Sequence, residues 1–93
     1  MTYAAVTYVN LEGRDRADGL RMLNDQLVPM LKSLAGFQSA RFLGSPDGKS
    51  GVGAVICDTE SHARACLDVM TTRRPAEAPP VTSTALYEVV LEV

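Results

Sequence analysis

Ninety-three residues carry nine Lys and Arg against eleven Asp and Glu, a net charge of −2 with the signs mixed along the chain, which argues against a nucleic-acid partner. The start of the chain has no early basic residue or signal-length apolar run, and no segment approaches the roughly 20 apolar residues of a membrane span, so a cytoplasmic protein without membrane contact is expected. Two Cys and one His leave too few soft ligands for an ordinary metal site, and none is expected.

A single domain over residues 1–93 fits this length. Folding would bury only roughly 60 to 65% of the surface the unfolded chain exposes, so a partner that covers more is favoured from the outset.

Tyr3 to Leu11 alternates as a strand, with Ala5, Thr7 and Val9 on one face and Val6, Tyr8 and Asn10 on the other. From Asp15 to Ala35, Leu20, Leu23, Leu27, Met30 or Leu31, and Leu34 recur at steps of three and four, one buried helical stripe. Pro29 removes a donor inside that helix, so a bend between Asp25 and Pro29 is expected. Leu34-Ala35-Gly36-Phe37 ends it, with Gly placed for a left-handed cap.

Phe37 to Leu43 and Gly51 to Cys57 read as a hairpin turned at Pro46-Asp47-Gly48. Gly51 and Gly53 leave room for a close approach, by packing ahead of a ligand. Asp58, Thr59 or Ser61 can cap a second helix with Ala63, Cys66, Leu67 and Met70 on one face, ended by Pro75. Cys57 and Cys66 read as buried thiols. A proline-rich loop, Pro75 to Pro80, is long enough to cross one end of the sheet, and Thr82 to Val93 alternates as the last strand.

The order β-α-β-β-α-β with right-handed crossovers gives an α+β, ferredoxin-like sandwich: a four-stranded antiparallel sheet with two helices on one face. Strand alternation predicts Ala5, Thr7, Val9, Tyr87, Val89 and Leu91 under the helices. The bare face would then carry Val6, Tyr8, Leu86 and Val90, with Phe42 beside them. Such an apolar patch predicts a homodimer of facing sheets, with Arg41 reaching Glu88 or Glu92 across the interface.

The helix end Leu31 to Phe37, the strand Gln38 to Leu43, the Asp58-Thr59-Glu60-Ser61 helix entry and the closing Leu86-Tyr87-Glu88-Val89-Val90 together resemble the dimeric α+β barrel proteins typified by antibiotic biosynthesis monooxygenases. The resemblance implies a pocket between sheet and helices in each protomer, and cofactor-free oxygenation of an aromatic or quinol-like compound. In the oxygenase members an Asn, a Trp and a His or Arg surround that pocket. This chain has no Trp, which argues against haem degradation and leaves a second reading, a non-catalytic homodimer that binds a small ligand.

For catalysis the candidate is His62, the one side chain that titrates naturally near neutrality; the first turn of a helix equally suits an exposed residue. Candidate ligand contacts are Thr7 and Tyr87, with Arg73 and Arg74 beside the proline loop to meet an anionic substrate. Asn10, at a strand end, equally suits a turn.

Overall fold

The computed structural model describes residues 1–93. Its elements run β1 (Tyr3–Asn10), α1 (Arg16–Met22), a π-helical stretch (Leu23–Leu27), α2 (Val28–Lys32), β2 (Phe37–Gly44), β3 (Ser50–Cys57), α3 (Glu60–Thr72) and β4 (Val81–Glu88). The four strands form one antiparallel sheet in the order β2-β3-β1-β4. This is the ferredoxin-like arrangement, and the sheet is open, with β2 and β4 as free edges.

The bend expected near Pro29 takes the form of the π stretch. Val28 N–H bonds back five residues to Leu23 O, and Pro29 then sits in the first turn of α2, where its missing donor costs nothing. Asp15 caps α1 by accepting from Ala17 N–H. Thr59 caps α3, its hydroxyl accepting from His62 N–H at 3.2 Å. The second helix ends at Thr72, three residues short of Pro75, with Arg73 as its cap.

The core is thin. Ala5, Leu31, Val55, Cys57, Ala63, Cys66 and Met70 form its buried cluster, and Tyr3, Leu27, Leu34, Phe37, Ala40, Phe42, Leu67 and Leu86 pack around it. Leu31 is the only buried residue of the first helical run, and Leu20 is left 53% exposed.

Register corrects the face assignment for β4. Ala5 stands opposite Val55 on one side and Leu86 on the other, so Leu86 lies under the helices and Tyr87, opposite Ala4, lies on the bare face. Odd residues of β1 meet even residues of β4, a pairing between distant strands that alternation alone does not define. β4 also stops at Glu88, so Val89, Leu91 and Val93 are not strand residues; Val89 N–H bonds to Thr2 O, and Val90 is 83% exposed.

A second correction lies in β2. Phe37 pairs with Cys57 and Ser39 with Ile56, leaving Gln38 as an extra residue. That bulge turns Phe37, Ala40 and Phe42 all toward the helices. Phe42 therefore belongs to the covered face, against Gly53, where an added Cβ would meet its ring at 3.2 Å and Thr7 Oγ1 at 3.0 Å. The strand-three glycines make room for neighbouring side chains, as packing requires.

Candidate functional site

Two concavities flank the helices. One, of about 220 Å³, lies between α2 and β2 and is lined by Val28, Leu31, Lys32, Phe37, Ala40 and Phe42. The bulge at Gln38 builds it, because it brings Phe37 and Ala40 onto one face with Phe42. Lys32 is its only charged lining residue. The other, of about 290 Å³, is a polar groove between α3 and β4 with Arg64, Leu67, Asp68, Thr71 and Thr84 along it. The first is the better ligand site by chemistry, since recognition cavities are mostly apolar with few polar anchors.

Beside the first cavity sits an acid–imidazole pair. His62 Nδ1 and Asp58 Oδ1 are 2.6 Å apart. A carboxylate only accepts, so Nδ1–H is the donor, and in the neutral ring Nε2 then carries the free lone pair. This hydrogen bond holds the Asp58 carboxyl below the usual carboxylate range, against a weaker opposing desolvation. Both groups pack over Gly36, whose φ of 81° and lack of a Cβ make the space: a Cβ there would strike Asp58 and His62. Phe37, the next residue, is part of the cavity wall.

The remaining predicted residues are spread out. Thr7 is buried beneath the helices at 4% exposure, opposite Gly53 and Thr84. Tyr87 is on the other side of the sheet, so the expected Thr7–His62–Tyr87 pocket is not assembled. Arg73 and Arg74 follow the far end of α3, about 16 Å along the helix axis from His62 at 1.5 Å per residue. Arg73 is exposed. Arg74 turns inward and ties down the proline loop by donating to Met70 O at 2.9 Å and to Pro79 O. Burial and then the nearby Arg14 lower its pKa. Arg14 and Gln26 hold the same loop through Glu77. Asn10 Oδ1 accepts from Glu12 N–H at 2.9 Å, the turn reading of that residue.

Val6, Tyr8 and Arg41 share the bare face with Val52, Ala54, Ile56, Ala85 and Tyr87. The Tyr8 phenol is raised above its ordinary pKa, first by a hydrogen bond to Tyr87 and then by its charge. Leu86 and Glu88 are not on that face: Glu88 stands opposite Tyr3, which packs against the core. Arg41 and Glu88 thus occupy opposite faces and opposite edge strands.

The cavity-lining residues and the Asp58 partner are the site features that sequence reasoning missed. The Asp58–His62 spacing of four at a helix entry was a readable signal for the pair. The cavity had none, because the bulge that forms it interrupts the period-two pattern. No helix is long and apolar enough to cross a membrane. No cluster of three His, Cys, Asp or Glu side chains is placed to hold a metal ion.

No protein-family model matches the sequence, and no curated protein matches it. Solved structures do match its fold. A protein from Shewanella loihica PV-4 provisionally designated a monooxygenase superposes with a TM-score of 0.65 at 14% identity, over 99% of each chain. A provisionally designated antibiotic biosynthesis monooxygenase from Bordetella bronchiseptica gives 0.65 at 15% identity, over 97% of this chain and 98% of that one. Another of that designation, from Nitrosomonas europaea, gives 0.62 at 14% identity, over 96% and 90%.

Proposed function

Starting from a chain that has the fold of the antibiotic biosynthesis monooxygenase-like proteins, we propose that it is a small homodimeric oxygenase without a cofactor. Its ligand is an aromatic or quinol-like compound held in the α2/β2 cavity. The observation that carries this reading is the apolar cavity with Lys32 at its wall, next to the oriented Asp58–His62 pair. A cavity of about 150 Å³ already takes benzene, so about 220 Å³ suits a one- or two-ring compound.

In this reading His62 Nε2 removes a phenolic proton, Asp58 steadies the imidazolium that results, and the Lys32 ammonium faces the phenolate. The electron-rich anion, shielded from water by Phe37, Phe42 and Val28, then reacts with dioxygen. One oxygen atom becomes a second ring carbonyl, and the other leaves as water with the phenolic hydrogen and the hydrogen of the attacked ring carbon, so the substrate supplies both electrons and the product is a quinone.

The dimer forms through the bare face, where the partly exposed Tyr8, Val52, Ala54, Ile56 and Ala85 surround the buried Val6. A two-fold axis makes such a patch its own complement.

The competing reading is a dimer that binds the same ligand without turning it over. It is favoured by a cavity wall whose only titratable group is Lys32. A panel of phenols and hydroquinones separates the two, read by thermal shift and by oxygen uptake. The oxygenase shows both; His62→Ala keeps the shift and loses the uptake, and Ala40→Trp, which fills the cavity, loses both. A shift without uptake establishes the binding protein. Neither response anywhere in the panel removes both readings.

A further inference from the structure

One pair of reactive side chains lies outside the site. Cys57, the last residue of β3, and Cys66, in the second turn of α3, are both fully buried with their sulfurs 3.2 Å apart. Neither is in a disulfide. Each neighbours a member of the acid–imidazole pair: Cys57 precedes Asp58 in sequence, and Cys66 lies one helical turn beyond His62. Two contacts, one buried and one exposed, therefore join the same strand end to the same helix.

We propose that Cys57 and Cys66 are an oxidation site, converted by a peroxide into an intrachain disulfide that locks β3 to α3 beneath Asp58 and His62. The sulfurs need to approach by about 1.2 Å to reach a bonding distance of about 2.0 Å, a small movement for side chains already in contact. Nothing separates them.

The step balances as follows. One thiol sulfur attacks a peroxide oxygen; an S–O bond forms, the O–O bond breaks, and water leaves with the thiol proton, giving a sulfenic acid. The second sulfur attacks the first; the S–S bond forms, the S–O bond breaks, and a second water leaves. Two electrons pass from the sulfurs to the peroxide.

Geometry also selects the oxidant. Neither sulfur is reachable from solvent, so the fitting class is a small uncharged peroxide that enters during local opening of α3. A bulky disulfide such as oxidised glutathione does not fit. Burial, followed by the hydrogen bond and charge of Cys66, pushes the Cys57 thiol up to about 12, so little thiolate forms while the pair stays closed and oxidation waits on that opening.

The test treats the native protein with hydrogen peroxide and, separately, with oxidised glutathione, then unfolds it in iodoacetamide and weighs it intact. Peroxide is expected to remove about 2 Da, the two thiol hydrogens, to leave no site for iodoacetamide, and to raise the melting temperature until dithiothreitol reverses it. Glutathione is expected to leave both thiols free to alkylate. A gain of about 16 or 32 Da that peptide mapping places on Cys57 or Cys66 rather than on the four methionines, a disulfide-linked dimer, two alkylated cysteines after peroxide, or an unraised melting temperature would each overturn the proposal.

Discussion

Gly36 has two reasons to be glycine, and they can be separated. Its φ of 81° is left-handed, and its missing Cβ leaves the space that Asp58 and His62 occupy. Gly13 and Gly48 share the positive φ, at 77° and 75°, but an added Cβ there meets nothing within 4 Å. Alanine at Gly13 or Gly48 should cost about 1–2 kcal/mol, the left-handed penalty alone. Gly36→Ala should cost more and also displace the His62 ring. Urea denaturation of the three variants with histidine NMR checks both; equal costs at all three positions would mean that the pair does not depend on Gly36. Acid behaviour belongs to the same scale. Asp58 is depressed in the folded state by His62, so its contribution is present above the unfolded carboxylate pKa of about 3.9 and is lost as pH falls through the lower folded value. Asp47 is held low by Ser45, then Lys49 N–H, and Glu77 by Gln26. Asp58→Asn should therefore weaken the protein at neutral pH and flatten, without abolishing, its loss of stability in acid. Melting curves from pH 2 to pH 6 would show a slope unchanged from wild type if Asp58 has no such role.

The two helical runs are not equally secured. α3 buries Ala63, Cys66 and Met70, whereas the whole run from α1 through α2 buries only Leu31. Leu31→Ala should cost about 2–5 kcal/mol, a large share of the 5–15 kcal/mol typical of a domain. It should also enlarge the α2/β2 cavity that Leu31 lines. Equilibrium unfolding measures the cost; a loss below about 1 kcal/mol would mean that α2 is held by something other than this side chain. Helix existence, the Gly36 ending and a helix start among Asp58, Thr59 and Ser61 were legible in the sequence, because leucine spacing, a left-handed glycine and capping side chains are local signals. The π stretch was legible only as a bend. Pro29 announces a missing donor but not how the preceding turns reroute their hydrogen bonds. The bulge at Gln38 was invisible, since Phe37 to Leu43 alternates acceptably either way, and the cavity was hidden with it.

At the scale of the molecule, local patterning established the order of elements and hence the sandwich, while the β1–β4 register stayed open. Those strands are the first and last of the chain, with no turn to set their pairing, so Leu86 and Tyr87 exchanged faces. The corrected bare face moves the test of the dimer. Ala54 stands opposite Val6 and Arg41 near its middle, away from the helix-side core. Ala54→Lys should bury a second cation beside Arg41, on a strand face that carries no carboxylate, and convert a particle of twice 10.0 kDa into one of 10.0 kDa, read by sedimentation at micromolar concentration. A wild-type protein that already sediments at 10.0 kDa would end the facing-sheet proposal. The thin core has its own bearing on that experiment. Only 12 of 93 residues are buried in a single protomer, so much of the stabilising burial would reside between copies rather than within one. For a protein built this way dilution acts as a denaturant: each tenfold drop in concentration removes about 1.4 kcal/mol per dimer, and the folded state becomes a property of how much of it the cell makes.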